Sequence, residues 1–149
     1  MTQEEISDIK FPACVHVYSR KQILELTPRG AVVISIAKLG ERIDLSHWED
    51  KVFYFDFDDI EERKAVLDPM LRPFNMEMAH QIWDIIQLHG DSEMDFIVHC
   101  AAGVSRSVAV GMFIAEETGR KLITHAIGTT DFANGHVLRL LHRIVWEGQ

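Results

Sequence analysis

Residues 98–110 read VHCAAGVSRSVAV, an apolar stretch, a small loop containing one glycine, and a second apolar run. The first part predicts a buried strand that ends at His99-Cys100, and the last part predicts a helix that begins near Ser105 or Arg106. Five residues separate the cysteine from the arginine. Three roles for Cys100 are open at this point: a reactive thiolate that faces an anion, an inert core cysteine, or a metal ligand.

Strand-like and helix-like segments alternate along the rest of the chain. Short β-branched or aromatic runs predict strands at 13–19, 31–37, 52–57 and 94–99. Amphipathic or capped runs predict helices at 19–26, 75–90, 105–119 and 132–146. This alternation indicates one α/β domain over residues 1–149, with a mostly parallel sheet of four to five strands and helices on both faces.

Composition narrows the classes of partner. The 149-residue chain carries a formal net charge of −8, which argues against a general nucleic-acid binder or an anionic-membrane surface. No apolar run approaches the length of a membrane span, and the acidic first ten residues lack the profile of a secretion signal, so we expect a cytoplasmic protein.

Two cysteines, Cys14 and Cys100, do not make a disulfide framework. The sequence has no Cys-x-x-Cys and no His-x-x-x-His pair, so it predicts no structural zinc site. Because Cys14 lies in an apolar strand, we expect it to be buried and inert. A regulatory disulfide between Cys14 and Cys100 stays open as an alternative.

The loop after Cys100 has the chemistry of an anion-binding site. The first N–H groups of a helix lack partners within the helix and carry the positive end of its dipole. Gly103 can adopt the positive φ that lets the loop turn its successive N–H groups toward one tetrahedral oxyanion. The Arg106 guanidinium can donate hydrogen bonds to two oxygens of that anion. The predicted phosphate-binding residues are Ala101, Ala102, Gly103, Val104, Ser105 and Arg106.

The same positive field favours the thiolate form of Cys100, which is a strong nucleophile. Ser107 can donate a hydrogen bond to that sulfur. His99 is expected to be a buried, hydrogen-bonded histidine that supports the loop through its ring nitrogens.

Residues 99–107, HCAAGVSRS, match the pattern HC-x-x-G-x-x-R-[ST]. This segment resembles the signature of the cysteine-dependent protein tyrosine phosphatases, and the chain is similar to their compact dual-specificity type, including bacterial and phage-borne relatives. The resemblance in motif covers roughly residues 50–145, and FANGHVLRLL near the C-terminus is similar to the Asn-containing start of that group's last helix. It implies Cys100 as nucleophile, Arg106 as phosphate-binding arginine and Ser107 as the assisting hydroxyl.

These phosphatases use an aspartic acid upstream of the cysteine to protonate the leaving oxygen. The segment FYFDFDDIEER ends a predicted strand with three aspartates, of which Asp56 lies within the strand. We favour Asp59 as the general acid, because its position between an apolar strand end and an isoleucine resembles the bacterial relatives. Asp58 is the second choice. Asp68 matches a common spacing of this family, 32 residues before the cysteine, but its Asp-Pro sequence is typical of a turn.

The resemblance therefore implies a phosphatase that hydrolyses phosphate monoesters through a phosphocysteine, without a metal or other cofactor. The expected partner is a phosphoprotein, with phosphotyrosine first and phosphoserine or phosphothreonine also open, or a small phosphomonoester. The loop lacks the lysines that enzymes acting on inositol phosphates tend to carry. Two further functions stay open, a rhodanese-like sulfurtransferase and a phosphate-binding pseudophosphatase.

Overall fold

The computed structural model describes residues 13–48, 51–60 and 68–147, and it places five parallel strands in one sheet. The strands are β1 (Cys14–Ser19), β2 (Ala31–Ala37), β3 (Val52–Asp56), β4 (Asp95–Cys100) and β5 (Lys121–Thr124). The helices are α1 (Arg20–Glu25), α2 (Met76–His89), α3 (Arg106–Thr118) and α4 (Gly135–Glu147). The α/β class with a parallel sheet is confirmed.

The strand order β3-β2-β4-β1-β5 places β4 in the centre of the sheet. Strand β5 is the element that the sequence prediction did not assign, because its four residues are too few for a periodic pattern. It pairs with β1 along that strand's outer edge.

Alternating side chains of the strands supply two apolar layers of unequal size. The larger layer lies under α2, α3 and α4, where α3 contacts β1 and β4 directly and α4 packs on both α2 and α3. The smaller layer lies under α1 and a 3₁₀ turn at Ser46–Trp48, and it is built around Ile23, Leu45 and Trp48. Helices therefore cover both faces of the sheet, as predicted, with α2, α3 and α4 on one face and α1 on the other.

Strand β4 ends at Cys100, with Ser19 of β1 beside it in register. Strand β3 has its carboxyl end on the same side of the sheet. Just after β3, the N–H of Phe57 donates to the carbonyl oxygen of Ala37. Ligands of open parallel sheets bind beyond the carboxyl ends of the strands, which is where Cys100 lies. Within the described residues, no helix has the length and apolarity needed to cross a bilayer.

Candidate active site

The Cys100 sulfur lies at the centre of a loop that faces the start of α3. It is almost fully buried, and the N–H of Gly103 donates to Sγ over 3.3 Å. The hydroxyl oxygen of Ser107 lies 2.9 Å from the same sulfur. When Cys100 is a thiolate, both neighbours are donors, so the surroundings stabilise negative charge on the sulfur.

The loop holds its curl through backbone contacts with the end of β1. Gly103 has a φ of +73°, and a Cβ at this position would lie 2.7 Å from the backbone nitrogen of Ser19 and from the carbonyl carbon of Tyr18. The N–H of Arg20 donates to the carbonyl oxygen of Ala101 over 3.1 Å. Position 103 therefore requires glycine both for its conformation and for its close approach to β1.

Arg106 is the first residue of α3, and its side chain is 5% exposed. One guanidinium nitrogen, Nη1, donates to the carbonyl oxygen of Phe57 over 2.8 Å. Among the residues that the structure describes, no carboxylate forms an ion pair with Arg106. A buried cation without an anionic partner is costly, so this arrangement favours binding of an external anion.

His99 supports the loop from the opposite face of β4 as a neutral imidazole. Burial, together with the nearby Arg20 and Arg106 guanidinium groups, lowers the pKa of His99 to about 4. Its Nδ1 lies 3.3 Å from the carbonyl oxygen of Cys100, and its Nε2 lies 2.7 Å from the Ser35 hydroxyl. Because a carbonyl oxygen only accepts, Nδ1 carries the proton and Nε2 accepts from Ser35.

Asp59 is the aspartate that contacts the loop. Its Oδ1 accepts a hydrogen bond from the Ser105 hydroxyl over 2.6 Å and another from the Asn134 side-chain amide over 2.9 Å. Its side chain is otherwise exposed. The favoured aspartate therefore lies at the rim of the candidate site.

The remaining two candidate aspartates have other partners: Asp58 bonds to the backbone of Arg72, and Asp68 bonds within its own turn. Asp58 exchanges two hydrogen bonds with Arg72, whose N–H donates to the Asp58 carboxylate over 2.7 Å. Asp68 is exposed, and its carboxylate accepts from the N–H of Met70. Of the three candidate aspartates, Asp59 is therefore the one whose carboxylate contacts the loop.

Asn134 joins three parts of the site. Its side-chain oxygen caps α4 by accepting from the N–H of Val137, while its amide group donates to Asp59. Its backbone N–H donates to the carbonyl oxygen of Ser105. The sequence indicated the cap, but the contact with Asp59 depends on two segments 75 residues apart.

An open groove of about 470 Å³ runs from Asp59 along the start of α4. Its lining is mixed, with Phe132 as the largest exposed apolar group. The groove gives space for a group attached to a phosphate held by the loop.

The structure thus brings together Cys100, residues 101–106, Ser107 and Asp59. Sequence reasoning missed Ser35, since nothing in the strand pattern marks it as the partner of His99. It also missed the capping box that Ser19 and Gln22 form, although the S-x-x-Q spacing was a usable signal.

Cys14 is half-buried rather than fully buried, because it begins β1 at the rim of the sheet. Cys14 is five residues before Ser19, and Ser19 pairs in register with Cys100. Five residues of strand span about 16 Å, which separates Cys14 from the end of the sheet where Cys100 lies. A disulfide between Cys14 and Cys100 needs Cα atoms within about 7 Å, so this alternative is excluded in the fold described.

Comparison of the chain with family models, with curated proteins and with solved structures returns no match.

Replacing Gly103 with alanine should destabilise the protein more than replacing Gly40. Both glycines have positive φ, but an added Cβ at Gly40 meets nothing within 4 Å. We expect Gly40→Ala to cost about 1 kcal/mol from backbone strain, and Gly103→Ala to cost a further 1–3 kcal/mol, by order of magnitude, from overlap. Urea unfolding measures both, and equal losses would contradict the close approach to β1.

Protonation of His99 should destabilise the fold in acid. Its pKa is about 4 when folded and about 6.5 when unfolded, so the unfolded chain binds the extra proton first. The free energy of unfolding should fall by about 3 kcal/mol from this group as the pH drops from 6.5 to 4. His99→Gln should flatten that decline, whereas His80→Gln, at an exposed position, should leave it as in wild type. Parallel pH profiles for all three proteins would contradict the assignment.

Proposed function

We propose that this protein is a phosphatase of the cysteine-dependent protein tyrosine phosphatase type, which hydrolyses phosphate monoesters through a phosphocysteine. The observation that carries the proposal is the buried Arg106 guanidinium, without a carboxylate partner among the described residues, at the start of the helix that faces Cys100. The donors on Sγ support a thiolate, and the cation supports a bound phosphoryl group.

In the first step, the Cys100 thiolate attacks phosphorus and the bond from phosphorus to the leaving oxygen breaks. Arg106 and the loop N–H groups hold the three remaining oxygens, whose charge grows in the transition state. Asp59 donates a proton to the leaving oxygen. The hydrogen bonds from Ser105 and Asn134 both reach Oδ1, so Oδ2 is the oxygen suited to carry that proton.

In the second step, water attacks the phosphocysteine and the P–S bond breaks. The Asp59 carboxylate accepts a proton from that water, and the released inorganic phosphate leaves the loop. Ser107, 2.9 Å from Sγ, donates to the departing thiolate and so eases its release. Cys100 returns to its starting state without a metal or other cofactor.

The position of Asp59 favours this reaction over sulfur transfer. A rhodanese-like enzyme needs an anion-binding cysteine loop but no proton donor for an oxygen leaving group. Here a carboxylate accepts a hydrogen bond from the loop residue Ser105, and a groove continues beyond it. The groove is open, which suits a phosphorylated side chain on a protein, with phosphotyrosine as the proposed main substrate.

Cys100→Ser should reduce turnover of an aryl phosphate to background, because serine is not deprotonated at neutral pH. The same variant should still bind tungstate or inorganic phosphate with near wild-type affinity, since Arg106 and the loop N–H groups remain. Calorimetry and a phosphate-release assay measure the two properties. Full turnover by Cys100→Ser would sink the mechanism, and thiosulfate-dependent sulfur transfer by the wild type, without phosphate release, would favour the sulfurtransferase.

Asp59→Asn should lower kcat about 10²–10⁴-fold on a phosphate ester with a poor leaving group. The loss should be much smaller on an aryl phosphate with an electron-withdrawing ring, because that oxygen leaves without a proton. Asp68→Asn, at an exposed turn, is the matched control and should behave as wild type. If Asp58→Asn or Asp68→Asn loses more activity on the poor leaving group than on the good one, and Asp59→Asn does not, the general acid is that other aspartate.

A further inference from the structure

A second cluster of chemically active side chains lies at the amino ends of β1 and β4, whereas Cys100 lies at the carboxyl end of β4. Cys14 begins β1 and Asp95 begins β4, and the N–H of Cys14 donates to Asp95 Oδ1 over 2.7 Å. His16 lies two residues after Cys14, so both side chains project from the same face of β1. Within residues 13–48, 51–60 and 68–147, these three form the one group whose sulfur, nitrogen and oxygen atoms all lie within 4.8 Å of one another.

The spacing of these atoms suits a tetrahedral ion. His16 Nε2 lies 3.3 Å from Asp95 Oδ2, which is long for a hydrogen bond to a carboxylate, where about 2.7–2.9 Å is usual. Two ligand atoms that are each about 2.0–2.1 Å from a tetrahedral zinc ion lie about 3.3 Å apart. The pair is therefore already separated as two ligands of one ion would be.

The second nitrogen of the His16 ring has a partner that orients the ring. Nδ1 lies 2.9 Å from His125 Nε2. The His125 ring stacks on Tyr18 with centroids 4.2 Å apart, and its backbone carbonyl accepts from the Gln22 side chain. A hydrogen bond from the non-ligating nitrogen is the usual support of a metal-binding histidine. In the tautomer in which Nδ1 donates to His125, Nε2 is the nitrogen that is free to ligate.

We propose that Cys14 Sγ, His16 Nε2 and an Asp95 carboxylate oxygen bind one Zn²⁺, with solvent in the fourth position. Thiolate, imidazole and carboxylate are the three ligand types that zinc accepts together. The site is independent of the proposed phosphatase chemistry, since Asp95 and Cys100 are at opposite ends of β4, about 16 Å apart along the strand. The sequence does not predict this zinc site, because Cys14 and Asp95 are far apart in the chain and form no short metal-ligand motif.

Arg29 neutralises Asp95 in the described structure. Its Nη1 lies 2.9 Å from Oδ2, and its side chain is 45% exposed. A zinc ion and this guanidinium would compete for the same oxygen, and the exposed arginine can move into solvent when the ion binds. Arg29 is thus a competitor whose removal should tighten metal binding.

Cobalt titration of the folded Cys100→Ser protein tests the site, since Cys14 is then the single thiol of the chain. We expect one Co²⁺ per chain, a near-ultraviolet thiolate-to-cobalt charge-transfer band and visible bands of tetrahedral intensity, all displaced by Zn²⁺. Adding Cys14→Ser should abolish the charge-transfer band while the circular dichroism spectrum is unchanged. The absence of the band from Cys100→Ser, or its persistence after Cys14→Ser, would overturn the proposal.

Two variants away from the ligands separate binding at this site from adventitious binding. In the Cys100→Ser background, Arg29→Gln should tighten Zn²⁺ binding several-fold, because the competing cation is gone. His125→Leu should weaken it about 10–100-fold while the charge-transfer band stays, as loss of a supporting hydrogen bond does. Weaker binding in Arg29→Gln, or unchanged binding in both, would overturn the proposed ligand set even where Cys14→Ser failed to fold.

Discussion

The buried charge of Arg106 is the constraint on which the rest of the site depends. A guanidinium that is 5% exposed must keep its donors bonded, and the Phe57 carbonyl oxygen receives one of them. This bond fixes the end of β3 against the start of α3. Asp59 follows Phe57 by two residues, so the same bond that satisfies the cation also brings the carboxylate to the rim of the loop.

The sequence was sufficient to predict the parallel α/β fold, because long β-branched runs and capped amphipathic helices are local signals. It also indicated the loop between β4 and α3, since a strand-like run, a short segment with one glycine and a helix-like run follow one another in residues 98–110. Strand β5 was not assigned because an edge strand of four residues has too little periodicity. The sequence does not show which of Asp58, Asp59 and Asp68 lies against the loop, because this depends on contacts with Arg72, Ser105 and Asn134 across distant segments.

His99 shows how a residue can be identified from sequence while its chemistry is not. Its place before Cys100 indicated a buried support for the loop. Its protonation state depends on burial and on two nearby guanidinium groups, and its tautomer depends on a serine of the neighbouring strand. A charged imidazole there would add to the cations around the loop, whereas the neutral ring links β2 to the Cys100 peptide without changing its charge.

The contacts that hold the loop against β1 are made by main-chain atoms. Gly103 meets the backbone of Tyr18 and Ser19, and Ala101 accepts from the backbone of Arg20. The side chains of Tyr18 and Ser19 make none of these contacts: Tyr18 stacks on His125, and the Ser19 hydroxyl accepts from the N–H of Gln22. The loop therefore constrains the backbone of β1, whereas the core constrains its buried side chains Val15 and Val17, and glycine is the residue that position 103 must keep.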